Sequence, residues 1–174
     1  VVSREGLFRG QVEMIEEAKR EILQNIRQLK NVALERLIAE KIDRMHVVCV
    51  KDVDTFEPYS VDECCTTQSL SAPQYMRYVY AIDKRRKITV YLTQDVLMVE
   101  WRYLYSRGPG YHEKSVVFMY NAKDVELEIR CVKITPKPYM NTGWRWKREE
   151  HVEKKLFPAV GRSEELKSLF YNYL

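Results

Sequence analysis

The chain has 174 residues, 45% of them hydrophobic and 31% charged, and a formal net charge of +4. This balance is typical of one globular domain with its own core, and it argues against a disordered chain. No run approaches the roughly 20 consecutive apolar residues of a membrane-spanning helix, and the first thirty residues lack a signal-peptide core. The four cysteines, two of them adjacent, make a poor disulfide framework, so the sequence predicts a cytoplasmic or nuclear protein with free thiols.

The most regular pattern begins at Gln11 and ends at Arg44, a stretch without Pro or Gly. Steps of three and four between apolar residues predict one long helix over about 10–45, with the row Ile15, Ala18, Ile22, Ile26, Leu29, Ala33 and Leu37 on one face. A second apolar row in the C-terminal half predicts that this half packs on a sheet. An unbroken helix would be roughly 50 Å long and would overhang the domain. The alternative is a break near Asn25 or Asn31.

Strand signals follow the helix. His46–Val50 predicts a short strand, and the acidic stretch 52–74 predicts a long connection, in which Ser60 and Glu63 fit a capping box with helical turns around 61–67. Alternating apolar and polar residues then predict an antiparallel meander with strands over 75–82, 87–93, 96–106, 115–120 and 125–134.

The C-terminal part predicts two helices, one over Trp146–Leu156 and one opened by Ser163 as its N-cap. The whole sequence thus predicts a single α+β domain over 1–174. In it a long N-terminal helix packs on a five- to six-stranded antiparallel meander sheet over 46–134, and two short helices follow within 144–174.

The leading functional prediction is a non-enzymatic module that self-associates or binds a protein partner, in the manner of a coiled coil, through its N-terminal helix. An overhanging apolar row would need a second surface to cover it. The predicted contact residues are Ile15, Ala18, Ile22 and Ile26.

Binding of single-stranded nucleic acid is the first alternative, because one segment supplies consecutive basic residues and another interleaves basic with aromatic side chains. One is a basic hairpin tip over 83–87, and the other is a Trp/Arg segment over 144–148. The predicted contacts are Arg77, Lys84, Arg85, Arg86, Lys87, Trp144, Arg145, Trp146, Lys147 and Arg148.

A metal-dependent nuclease or hydrolase is the remaining alternative. Its candidate residues are Asp124, Glu126, Glu128, His112 and Cys64, of which Glu126 and Glu128 alternate outward on one predicted strand. The three histidines are widely separated, and the chain has none of the CxxC, HExxH, GxSxG or P-loop motifs. The sequence therefore predicts neither a metal site nor a cofactor, and an exposed polar row on a sheet explains the two glutamates as well.

Overall fold

The computed structural model describes residues 9–54, 61–67, 75–107, 110–139 and 143–171, and within them the side chains of 10–52, 75–106, 111–129 and 150–171. Its elements in chain order are α1 (Arg9–Asn25), α2 (Val32–Lys41), β1 (His46–Asp54), β2 (Val61–Thr67), β3 (Met76–Ala81), β4 (Arg86–Leu92), β5 (Val96–Arg107), β6 (Gly110–Asn121), β7 (Val125–Tyr139), β8 (Gly143–Phe157) and α3 (Ser163–Tyr171). The predicted α+β class is confirmed.

The N-terminal helical region is broken between α1 and α2. At the end of α1, the side chain of Asn25 donates a 2.8 Å hydrogen bond to a carbonyl four residues earlier. A 3₁₀ turn over Ile26–Leu29 follows, and Lys30 takes a left-handed conformation with φ of 57°. Asn31 then caps α2 by accepting a 3.0 Å hydrogen bond from the Leu34 N–H. The prediction of one continuous helix was wrong, and the alternative of a break here is confirmed, since asparagine side chains compete for helical backbone groups.

Five strands form an antiparallel sheet in the order β1-β6-β5-β4-β3. In its centre Ile88, Val90 and Leu92 of β4 share one buried face with Trp101, Val99 and Leu97 of β5, as predicted. The helices cover the face that carries these residues. Their buried side chains form one core with this face of the sheet. The other face is buried there too, with Thr89 and Met98 at 2% and 3% exposed.

A second sheet of three strands, in the order β2-β7-β8, lies against the other face. Leu127, Ile129 and Phe157 of this sheet form a second core with Met98, Met119 and other residues of the larger sheet. The domain therefore has three layers: helices, a five-stranded sheet and a three-stranded sheet.

The second sheet corrects three predictions. The segment 61–67 forms the strand β2 and not helical turns, and Trp146–Leu156 lies in the strand β8 and not in a helix. In addition, β7 does not return along β6 as a hairpin but pairs with β2 and β8. In each case pairing with a partner strand outweighs a local signal, because strand propensity depends strongly on tertiary context.

The C-terminal helix α3 begins at Ser163, in agreement with the sequence, and buries Leu166, Leu169 and Phe170 against the first core. None of the helices in the described ranges is long and apolar enough to cross a membrane. The parts of the acidic connection at 55–60 and 68–74, including Ser60, lie outside the described residues, as do Gly108 and Pro109.

Candidate nucleic-acid interface

The apolar row of α1 lies inside the domain. Ile15, Ala18, Ile22 and Ile26 are 5%, 0%, 0% and 3% exposed, and all four belong to the core between the helices and the five-stranded sheet. The prediction that this row forms a partner surface was wrong, because the break after α1 lets the helix lie along the sheet. Self-association of the domain stays a prediction, with no assigned surface.

The tip of the β3–β4 hairpin is a tightly fixed turn. The Asp83 carboxylate accepts hydrogen bonds from the backbone N–H groups of Arg85 and Arg86, both at 2.8 Å. Hydrogen bonding by the Arg86 guanidinium and the Arg85 backbone lowers the pKa of Asp83 below its ordinary value. The Arg85 carbonyl in turn accepts a 2.7 Å hydrogen bond from the Leu104 N–H of β5. The turn therefore holds Lys84 and Arg85 outward on a fixed backbone.

Arg86 is anchored to the core side of the sheet. Its guanidinium donates to Asp83 and to the Glu21 carboxylate of α1, and Glu21 also accepts a hydrogen bond from the Trp101 indole N–H. Glu21 is only 8% exposed. The contacts with Asp83 raise the pKa of Arg86 above its ordinary value. Arg86 thus ties the hairpin to α1 and is not available as a free cation.

A depression of about 640 Å³ opens beside this tip, and we call it the hairpin groove. Its lining combines cations with aromatic rings: Glu17, Asp83, Lys84, Arg85, Arg86, Tyr103, Tyr105 and Lys114. Lys84 and Arg85 are exposed, and Lys114 is half-buried. None of these three cations has an ion-pair partner among the described residues.

The aromatic wall of the hairpin groove is the outer part of a row along β5. Trp101 is fully buried under α1, whereas Tyr103 and Tyr105 lie farther along the same face and are half-buried. The ring centroids of Tyr103 and Tyr105 are 5.0 Å apart, and the ring of His112 lies 5.2 Å beyond Tyr105. His112 also contacts the carboxylate of Asp52. These contacts hold the two tyrosine rings in place at the edge of the helical layer.

The predicted basic residues of the hairpin do not share one surface. Arg77 and Lys87 lie on the opposite face of the sheet from the groove, where the Arg77 guanidinium is 5.9 Å from the Tyr91 ring centroid. The structure thus separates Arg77 and Lys87 from Lys84 and Arg85, and their contact with nucleic acid stays a prediction. The alternation of a strand explains the division, because neighbouring residues point to opposite faces.

The Trp/Arg segment Trp144, Arg145, Trp146, Lys147 and Arg148 lies in β8, opposite the end of β7. Its backbone belongs to the second sheet, which packs on the face away from the groove. The side chains of these five residues lie outside the described part of the chain. Their predicted contact with nucleic acid stays a prediction.

A group of charged residues lies on the face of the larger sheet that carries Lys87. Glu113 is 8% exposed and forms ion pairs with Lys51 at 3.3 Å and with Arg102 at 2.9 Å. Burial raises the pKa of the neighbouring Glu100, although the positive charges of Arg102 and Lys87 oppose this rise. Lys51 and Arg102 are thus paired with a carboxylate, whereas Lys84, Arg85 and Lys114 of the groove have no such pair among the described residues.

The structure disperses the candidate catalytic residues. His112 lies on β6, on the side of the larger sheet that the helices cover, whereas Glu126 and Glu128 lie on β7 in the other sheet. Asp124 accepts a hydrogen bond from the Ala159 N–H and so fixes a loop. The position of Cys64 is on β2, and its side chain lies outside the described part. Within the described residues, no three His, Cys, Asp or Glu side chains form a group that could hold a metal ion.

No protein-family model, no curated protein and no solved structure matches this chain. The candidate site therefore depends on geometry alone. The sequence reading named Lys84 and Arg85 but missed Tyr103, Tyr105 and Lys114 as their neighbours. The sequence signal for the two tyrosines was the length of strand β5. Its alternating aromatic residues continue past the part of the sheet that the helices cover.

Proposed function

We propose that this domain binds single-stranded nucleic acid through the hairpin groove. The observation that carries the proposal is a depression of about 640 Å³ in which three cations, without ion-pair partners among the described residues, lie beside two half-buried tyrosine rings. Proteins that hold single strands without strong sequence preference combine these two elements, cations for the phosphates and aromatic rings for the bases.

The charges of the groove favour an anionic chain. Arg86 is neutralised by Glu21 and Asp83, whereas Lys84, Arg85 and Lys114 form no ion pair within the part of the chain that the structure describes. Glu17 is the other acidic residue of the lining. Because the tip is already fixed by Asp83, a phosphate that binds there would not have to order the backbone.

The position of the rings favours a single strand over a duplex. Tyr103 and Tyr105 are half-buried inside a depression, so a base must leave a stack to reach them. Bases in a single strand can do this freely, whereas a duplex must first be unpaired at a cost of a few kcal/mol. Stacking on one ring is worth about 1–3 kcal/mol per base.

The first test is the affinity of the full chain for a fluorescently labelled single strand of mixed sequence, measured by anisotropy at several salt concentrations. We expect the double variant K84E/R85E to bind at least about tenfold more weakly at low salt. The slope of log affinity against log salt should fall by roughly 0.7 for each phosphate contact that is lost. The matched control R36E/K167E changes two exposed cations on α2 and α3 and should bind like the wild type.

A second variant separates stacking from charge. Y105L keeps an apolar side chain but removes the ring, and we expect a loss of about tenfold with an unchanged salt slope. Equal affinities of K84E/R85E and its control, or a wild type that binds no single strand at low salt, would overturn the proposal.

A further inference from the structure

A second cavity, of about 540 Å³, lies at the other end of the helical layer, and we call it the α3 pocket. It is lined by Lys41, Arg44, Tyr120, Ala159, Val160, Gly161, Arg162 and Glu165. Tyr120 lies on the same face of β6 as Lys114 and six residues farther along, which places the two sites roughly 20 Å apart at 3.4 Å per residue. The α3 pocket is therefore distinct from the hairpin groove.

The floor of the α3 pocket is a rigid loop. The backbone N–H groups of Val160 and Gly161 both donate to the Asn121 carbonyl at 3.0 Å. The side chain of Asn121, which is 0% exposed, donates to the Phe157 carbonyl at 2.9 Å and so fixes the start of the loop. At Gly161 an added Cβ would lie 2.4 Å from the ring of Tyr120, so only glycine lets the loop approach this ring.

The charges in the α3 pocket leave an excess of two positive charges. Glu165 accepts a 3.0 Å hydrogen bond from the Tyr120 hydroxyl and lies 3.9 Å from the Lys41 ammonium. This hydrogen bond, together with burial as the larger cause, raises the pKa of Tyr120 above its ordinary value. Arg44 and Arg162 are exposed and have no ion-pair partner among the described residues. Two guanidinium groups from separate segments thus line one cavity, and the Glu165 carboxylate there pairs with Lys41 and with neither of them among the described residues.

We propose that the α3 pocket binds a phosphate group, with Arg44 and Arg162 as its main contacts and Lys41 as a supporting charge. The planar forks of two arginines match the oxygens of a phosphate. One terminal phosphate dianion, or two neighbouring phosphodiesters of a nucleic-acid strand, balances the excess of two charges, which a single carboxylate does not. The phosphate can belong to a free phosphorylated molecule or to a nucleic-acid backbone. The proposal does not depend on the hairpin groove, because different residues form it.

The test uses the full chain and two ligands, inorganic pyrophosphate by calorimetry and the labelled single strand by anisotropy. If the pocket takes a free phosphate group, the wild type binds pyrophosphate, R44Q/R162Q loses at least about tenfold in affinity, and K84E/R85E retains it. The variant R44K/R162K keeps the charge without the forks and should recover part of the binding.

The second ligand distinguishes the source of the phosphate. A pocket on the path of a nucleic-acid strand would lower the affinity of R44Q/R162Q for the single strand, relative to R36E/K167E, and would make the salt slope shallower. The proposal is overturned if the wild type does not bind pyrophosphate and R44Q/R162Q binds the single strand as tightly as the wild type. A failed hairpin groove would appear separately, as an unchanged affinity in K84E/R85E.

Discussion

The buried row of α1 and the tip of the β3–β4 hairpin were both predicted as contact surfaces, but the structure buries the first and exposes the second. The apolar row, with Ile22 at its centre, is fully enclosed, whereas Lys84 and Arg85 point into solvent. Apolar side chains pack on a surface that removes them from water, and in this domain that surface is the five-stranded sheet. A row of charges has no such buried surface to pack on and stays exposed, so a basic turn remains accessible to a partner.

The same contrast appears between two neighbouring residues of the tip. Arg85 is exposed and unpaired among the described residues, while Arg86 is held by Asp83 and the buried Glu21. Identical side chains thus have different roles because the strand begins between them and turns one toward the helix.

The largest effect is expected from I22D in the buried row. An aspartate at a site with 0% exposure and without a partner should destabilise the fold by at least about 4 kcal/mol, enough to unfold much of the protein. Urea unfolding followed by circular dichroism gives the stability, and light scattering gives the mass. If I22D stays folded but changes from a dimer to a monomer, the hypothesis that the row on α1 is a partner surface would be supported again.

The next largest effect is a loss of stability in R86A that R85A does not share. Removal of Arg86 leaves the Glu21 carboxylate buried with only the Trp101 N–H, so we expect a loss of about 2–3 kcal/mol in the free energy of unfolding. R85A should change this free energy by less than about 0.5 kcal/mol, because Arg85 makes no such side-chain contact. Equal losses in stability would show that the two arginines do not differ as described.

The smallest effect concerns Glu100 and pH. Burial raises its pKa above the ordinary value of 4.5, so the folded state binds more protons than the unfolded state between these two pKa values. The stability that the protonated form contributes is therefore present at low pH and lost as the pH rises through the raised pKa. We expect E100Q to remove this loss, with a difference below about 1 kcal/mol at neutral pH. Denaturant midpoints of both proteins across this range measure it, and an equally steep loss in E100Q contradicts the assignment.

The sequence predicts what depends on local pattern. The strands β3, β4 and β5 lie where the alternating pattern predicts them, although the second sheet also buries the other face of β4 and β5. The break at Asn25 and Asn31 was an open alternative because asparagines compete with helical hydrogen bonds. The second sheet was missed because β2 and β8 owe their conformation to β7, which is distant in sequence from β2. Only part of the candidate site could be predicted from the sequence. The cations are visible in the sequence, but the proximity of Lys84 to Tyr103 and Lys114 depends on the order of the strands in the sheet.

The strand register also has a consequence for the order of folding. The hairpins that join β3, β4, β5 and β6 close over short turns, and contacts of this kind form within microseconds. In contrast, β1 pairs His46 with Met119 and β2 pairs Val61 with Ile134, 73 residues later in each case. Each of these two strand pairings must close a long loop, and the entropy of that closure is lost before any stabilising contact forms. We therefore expect the meander to form first and β1 and β2 to join it late, which makes the attachment of these two strands the step that limits the folding rate.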